Sequence, residues 1–539
     1  MMKTLIILFA ADNGSYGFKN AFEGKSAFFK TLEWAHKLNL DSDINVFCLD
    51  GNKDSVASGI SDFKAEFDSK NDICFTSKSS WNAETLFASM ADAVSKSGAE
   101  YVLYNFAYCP FLNIELAQKL IKTHEEYKSE YSFADGYPYG VCPEILDKGL
   151  VNILKELIKT KEDLKDKNVE KTTVFDLLNT DINSFEIETE ISNIDWRLYR
   201  FDFTCDKKEN FIACKNLYEA LSTMSEDDKK DIQKVITKAK ENTKVLKTIP
   251  AYFNIQIETD CPSKCTYCAY SVCKKSGMQK MDLEKFRGLV KSIDALNPDG
   301  VVSLSLWGEP LLHPDFFDFA KEVLKYEGLS LLVETTGINY KDENVKKNIS
   351  ALKEACGKLK QKKNGYSPLM WIVSVDAMSQ KVYEDIHPGM KLDDALESVK
   401  FLNSVFSGDV YAQFLRLKQN EDELENFYRT FKEKTSLSGG NFIIQKYDDF
   451  CKKLGDFKSA DLSPVDRLPC WHLRRDMNIL SNGDVCVCKN KSFEAPLGNT
   501  FTEDLETIWN KIDLYLEKHI AKNYCDGCEA CDEFYTFNF

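Results

Sequence analysis

The chain has 539 residues, too many for one compact core, and at roughly 150 residues per domain it should form about three or four units. Apolar residues at 43% and charged residues at 29% exclude a disordered or collagen-like chain. Its 69 basic and 85 acidic side chains give a net charge of −16, which argues against a general nucleic-acid binder, because no surplus of Lys and Arg exists to displace phosphate counterions.

The first apolar run, 5–11, is too short to cross a bilayer and leads into Asp12-Asn13-Gly14, so it reads as a buried strand rather than an anchor or export signal. A cytoplasmic location without a membrane partner is expected. In that reducing setting the 18 cysteines should be metal ligands or free thiols. Strands at 4–11, 44–49 and 101–106 alternate with helical patterns at 27–39, 83–97 and 114–127, which predicts a parallel sheet covered by helices within residues 1–222. Tyr108-Cys109-Pro110 after the third of these strands, followed by Tyr137-Pro138-Tyr139-Gly140 and Glu144, resembles the cytidylyltransferase-type nucleotidyltransferases. The resemblance implies a Rossmann-like fold. It also places the family's metal-binding aspartate on Tyr108, which cannot hold Mg2+ as a carboxylate does, and its phosphate loop on Asp12-Asn13-Gly14-Ser15, with no arginine. A structural or substrate-recognition role is therefore expected for this unit, not nucleotidyl transfer.

Residues 223–249 are highly charged but carry Ile232, Val235, Ile236 and Ala239 at helical spacing, which predicts one linking helix with a solvated outer face. Over 250–446 a second strand–helix series begins. Its candidate strands are 251–258, 300–306, 329–334, 371–375, 409–415 and 441–445, with Asp282 as the N-cap of a helix after the first. Six such parallel strands would curl into a partial (β/α)6 barrel with its chemistry at the C-terminal strand ends. The fold class is thus α/β, closed by a small Cys-rich tail over 447–539.

After the first barrel strand comes Cys261-Pro-Ser-Lys-Cys265-Thr-Tyr-Cys268. On a helix these cysteines would share one face, and short spacings also suit zinc. Asp260, Pro262 and Lys264 favour a loop at a strand end over a buried helix face. Three thiolates leave one iron of a [4Fe–4S] cluster open. The C-x3-C-x2-C spacing, with Ala269-Tyr270-Ser271 after it, resembles the signature of radical S-adenosylmethionine (SAM) enzymes, and this implies that Cys261, Cys265 and Cys268 hold a cluster whose last corner SAM chelates.

Further elements of that family follow in order. Trp307-Gly308-Glu309-Pro310 resembles its G-G-E-P turn, whose backbone accepts from the SAM ammonium group, although Trp307 replaces the first glycine. Thr336 in Glu334-Thr335-Thr336-Gly337 and Ser374 in Ser374-Val375-Asp376 can either hold a ribose or cap the next helix. The resemblance puts Arg416 at the SAM carboxylate, with a surface salt bridge as the other reading, and Tyr267 near the adenine, with core packing as its alternative. His387 stands where many relatives carry arginine and receives no assignment. Asp376, Asp448 and Asp449 are expected at the solvated surface, and no general acid or base is identified.

In the tail, Cys470, then Gly483 and Cys488, then Cys525-x2-Cys528-x2-Cys531 resemble the SPASM/twitch extension. The resemblance implies an auxiliary [4Fe–4S] cluster held by Cys470, Cys488, Cys525 and Cys528, with Cys531 and Cys486 as alternates; a tetrahedral zinc site is the competitor. The whole arrangement resembles the spiro-SPASM proteins. That implies reductive cleavage of SAM to methionine and a 5′-deoxyadenosyl radical, hydrogen abstraction from a peptide or a small sugar or cyclitol, net oxidation through the auxiliary cluster, and a flavodoxin- or ferredoxin-type electron donor. A nucleotide-sugar transferase run by the N-terminal unit and a non-catalytic zinc or electron-transfer scaffold are the rival readings.

Overall fold

The computed structural model describes residues 3–10, 16–68, 71–270, 280–337, 339–357, 361–362 and 364–536. The expected phosphate loop at 12–15 and the positions 271 and 273 beyond the cysteine motif lie outside them. The chain forms two compact units, Met1–Thr248 and Ile249–Phe539. Among the described residues no helix is both long and apolar enough to cross a membrane.

In the first unit β1 (Thr4–Ala10), β2 (Ser42–Leu49), β3 (Ile73–Lys78), β4 (Tyr101–Phe106), β5 (Tyr131–Asp135), β6 (Glu144–Asp147) and β7 (Ile187–Ile191) make one sheet in the order β3-β2-β1-β4-β6-β5-β7. Strands β1 to β4 run parallel, while β6 is antiparallel to both β4 and β5. Every residue of β1 is buried, as befits a central strand covered on both faces. Helix Ala83–Ser97 starts in a capping box between Asn82 and Thr85 and stops at Gly98.

The charged stretch after residue 223 is not one linking helix. Asp231 and Asn242 cap new starts, so it folds as Glu226–Lys230, Ile232–Lys240 and Thr243–Leu246. Ile232, Val235, Ile236 and Ala239 are buried, and the segment belongs to the first compact unit.

The second unit places β8 (Tyr252–Ile255), β9 (Val301–Ser303), β10 (Ser330–Thr335), β11 (Leu369–Ser374), β12 (Val410–Arg416) and β13 (Phe442–Lys446) in sequence order, all parallel. Side chains alternate between two faces. Phe253, Ile255, Val302, Leu331, Val333, Trp371 and Val373 join the large core under the helices, whereas Tyr252, Val301, Leu332, Met370 and Ile372 form a small apolar cluster on the other face. The tail is woven into the same sheet: β14 (Asp476–Ile479) pairs parallel with β8, and β15 (Asp484–Cys486) and β16 (Gly498–Asn499) continue it antiparallel.

Candidate active site and cysteine centres

Beyond β8 the chain enters a loop carrying the half-buried thiols of Cys261, Cys265 and Cys268. Its root is set by the fully buried Glu258, whose carboxylate accepts from the backbone N–H groups of Thr259 (2.8 Å) and Asp260 (3.0 Å). The turn after β9 packs onto that root, with Glu309 N–H donating to the Asp260 carbonyl at 2.8 Å. Only glycine permits this approach. At Gly308 φ is +85°, and a Cβ there would lie 2.3 Å from the Glu258 carbonyl oxygen.

Glu309 is 5% exposed, and its carboxylate accepts from Thr335 Oγ1 (2.7 Å), Thr336 N (3.0 Å) and Thr336 Oγ1 (3.0 Å). Burial raises its pKa, while these donors pull the other way. Gly308, Glu309 and Thr336 therefore form one clamp between the ends of β9 and β10, and Pro310 opens a 3-10 turn beside it. The Thr336 hydroxyl faces Glu309. Trp307, in place of the first glycine, donates its indole N–H to Ser492 Oγ (3.1 Å) and meets Phe450 edge-on at 5.8 Å, which joins the turn to the tail.

Each thiol of the loop has a nitrogen partner beside it. Ser263 N–H reaches Cys261, Tyr270 N–H reaches Cys268 Sγ at 3.4 Å, and His387 Nδ1 lies 3.1 Å from Cys265 Sγ. Burial pushes all three thiols up, Cys261 to about 11, and the neighbouring sulfurs add to this at Cys261 and Cys265. The buried hydroxyl of Thr266, next to Cys265, has no partner among the described residues. Three clustered thiols faced by N–H donors and an unpartnered hydroxyl fit a thiolate-ligated iron–sulfur group, whose sulfurs are acceptors.

Tyr267 packs against Ile386, Leu415, Leu417 and Tyr447, donates its OH to Asp376 Oδ2 (3.1 Å) and meets the Ser374 hydroxyl. Asp376 is fully buried, not solvated, because it accepts from the backbone and side chains of three neighbouring segments. Arg416 is already engaged: its guanidinium forks onto Glu421, with Nε 2.8 Å from Oε2.

In the tail the structure brings the thiols of Cys470, Cys488, Cys528 and Cys531 together. Burial raises Cys470 to about 12 and Cys528 to about 11, and Cys488 is raised strongly. In each case the Cys531 sulfur adds to the effect. Cys525 comes beside Cys528. Cys486 points elsewhere, into an apolar cluster with Leu306 and Leu480. Positive charge borders the group: Lys491 faces Cys528 and Cys488, and Arg467 donates to the carbonyl of Cys528.

Sequence reasoning did not reach Cys451, which hydrogen bonds with Cys531 and belongs to no spacing motif. It lies in three successive left-handed residues, Phe450, Cys451 and Lys452, a conformation without a sequence signature in non-glycine residues. Asp448, expected at the solvated surface, instead packs with Asp532 and Glu533 in a carboxylate group. Lysines supply the counter-charge there, with Lys489 Nζ 3.2 Å from Asp448 and 3.5 Å from Glu533, and Lys446 Nζ 3.0 Å from Asp532.

In the first unit Tyr108 is fully buried, donates to the Ala10 carbonyl (3.0 Å) and packs edge-on against Phe18. An aromatic ring thus fills the position where the resemblance puts a metal-binding carboxylate. The same unit has a cavity of about 100 Å³ lined by Tyr104, Tyr139, Glu144, Lys171 and Thr204 among others.

A family model described as the radical SAM superfamily matches residues 255–431, and one described as the SPASM iron–sulfur cluster-binding domain matches 470–532. An uncharacterized protein of Treponema pallidum (strain Nichols) is 34% identical over 375 residues, which covers 68% of this chain and 98% of that protein. Among solved structures, Streptococcus suis SuiB bound to the precursor peptide SuiA is 14% identical, covers 71% of this chain and 84% of that one, and has a TM-score of 0.40. A cytidylyltransferase from Leptospira borgpetersenii is 16% identical, with 46% and 97% covered and a TM-score of 0.36.

Proposed function

The chain belongs to the radical SAM superfamily and carries a SPASM domain, and from that premise we propose that it abstracts a hydrogen atom from a peptide or a small sugar or cyclitol, with net oxidation. Its cofactors are SAM, the [4Fe–4S] cluster that SAM chelates, and an auxiliary iron–sulfur centre. When bound, SAM and its cluster supply reductive cleavage of the sulfonium and abstraction of a substrate hydrogen.

The donor-faced thiols of Cys261, Cys265 and Cys268 at the end of β8 are the observation that carries this reading. These residues hold the first cluster. The Gly308–Pro310 turn, fixed by the Glu309–Thr336 clamp, offers its backbone to the SAM ammonium group, while Tyr267 and Ser374 wall the nucleoside side. Arg416 serves the SAM carboxylate by exchanging Glu421 for it. For the auxiliary centre the mutual proximity of Cys470, Cys488, Cys528 and Cys531 supports that set, with the alternate Cys531 in the place that the resemblance gives to Cys525. A flavodoxin- or ferredoxin-type donor in the cytoplasm delivers the electron, and the N-terminal unit recognises substrate without transferring a nucleotidyl group.

Anaerobic reconstitution with iron and sulfide, followed by dithionite and SAM, should yield 5′-deoxyadenosine, and Cys265→Ala should abolish it. Magnesium-dependent nucleotide turnover that survives loss of iron would replace this reading with a transferase. Zinc in the tail with no SAM cleavage would replace it with a scaffold.

A further inference from the structure

Asp376 and His387 join Cys265 in a chain of polar contacts, and the proposed function gives neither Asp376 nor His387 a task. His387 is fully buried, with Nδ1 3.1 Å from Cys265 Sγ and Nε2 2.9 Å from Asp376 Oδ2. The carboxylate is held on all sides: Oδ1 accepts from Leu415 N–H (2.6 Å), Oδ2 also accepts from Tyr267 OH (3.1 Å), and the Asp376 carbonyl accepts from Asn420 Nδ2 (2.7 Å). Its φ of +53° is one that residues with a Cβ adopt at a cost, so the surroundings fix Asp376 where the ring needs it. Tyr383, 4.7 Å away, and Tyr267, edge-on at 5.7 Å, hold the imidazole plane.

We infer that His387, oriented by Asp376, donates its Nδ1–H to the Cys265 sulfur of the bound cluster and sets how readily that cluster accepts an electron. This rests on the reading that Cys261, Cys265 and Cys268 hold a [4Fe–4S] cluster. A cluster-bound cysteine sulfur carries no proton, so the ring nitrogen facing it can only donate. However the proton between Nε2 and Oδ2 is shared, Nδ1 keeps its own. The N–H···S bond draws negative charge from the thiolate and so favours the reduced, more negative cluster. Cys261 and Cys268 have backbone N–H donors from Ser263 and Tyr270, which side-chain substitution leaves in place. At Cys265 the partners are side chains, the His387 ring and the Tyr267 hydroxyl, which makes the contact adjustable. His387 is thus a tuning residue and Asp376 a positioning residue.

The test follows, by EPR-monitored redox titration of reconstituted full-length protein, the cluster signal that responds to SAM. His387→Phe is expected to move its midpoint to a more negative potential, by about 59 mV if the reduction equilibrium falls tenfold. His387→Gln, which keeps a side-chain N–H, should recover most of that shift. A His387→Phe midpoint equal to wild type, at equal iron content, overturns the inference. Should His387→Phe fail to hold iron, wild-type protein labelled with 15N-histidine decides: a nitrogen hyperfine coupling on the reduced, SAM-responsive cluster supports the bond, and its absence overturns it. If wild type assembles no SAM-responsive cluster, the reading beneath the inference fails with it.

Discussion

A methyl group at position 308 would have to lie 2.3 Å from the Glu258 carbonyl, at a φ that strains any residue with a Cβ, so Gly308→Ala must displace either the turn or the root of the cysteine loop. The expected cost is about 1–3 kcal/mol of local stability, seen as weaker iron retention at the first cluster with far-ultraviolet circular dichroism unchanged. At the auxiliary centre, Cys531→Ser should remove the auxiliary iron signal, and Cys525→Ser should leave most of it in place. Mössbauer quantitation of the two variants checks the assignment. The cysteine loop stands out in the sequence because its three thiols are close in spacing, whereas the clamp of Glu309 on Thr336 joins residues 27 positions apart and carries no local signal. Asp376 and His387 carry none either. His387 meets a cysteine 122 positions earlier in the chain, and nothing in Ile386-His387-Pro388-Gly389 announces which residue the ring will face. Cys451 was missed for the same reason: its partner Cys531 lies 80 positions on, and its left-handed backbone has no composition cue.

Among the elements, the six barrel strands could be read within a few residues, since a continuous apolar run bounded by turn residues is a strong signal for a strand buried on both faces. Strands β14, β15 and β16 have four, three and two residues, too few for any period to show, and their pairing depends on β8, more than two hundred residues earlier. The charged segment after residue 223 misled for a different reason. Its apolar spacing is helical throughout, but the capping residues that cut it into three helices act one at a time. Met477 on β14 is fully buried in the core beneath the barrel helices, so Met477→Ala should cost about 2–5 kcal/mol. Chemical denaturation should show that loss in the barrel itself, although the substitution lies in the tail.

For the molecule as a whole, the apolar core of the first unit and that of the second draw on separate stretches of chain, which predicts separate unfolding events. Calorimetry of the full-length protein should resolve two transitions. Stripping iron with a chelator should lower the one belonging to Ile249–Phe539, by about 2–4 °C for each kcal/mol of lost binding linkage, and leave the other unmoved. A strand–helix series that halts and restarts marks a boundary near residue 250, although length alone suggests three or four units; the assignment of residues 223–248 to the first unit was not legible, because packing decides it. The pairing of β14 with β8 also bears on how the chain matures. Until residues 476–479 have been synthesised, the first barrel strand is a raw border whose backbone groups at 252–255 lack a neighbour on one side, and such borders stitch themselves to other chains. The tail acts as a selvedge that finishes the weave, so a product shortened before residue 476 should clump even though every barrel strand is present.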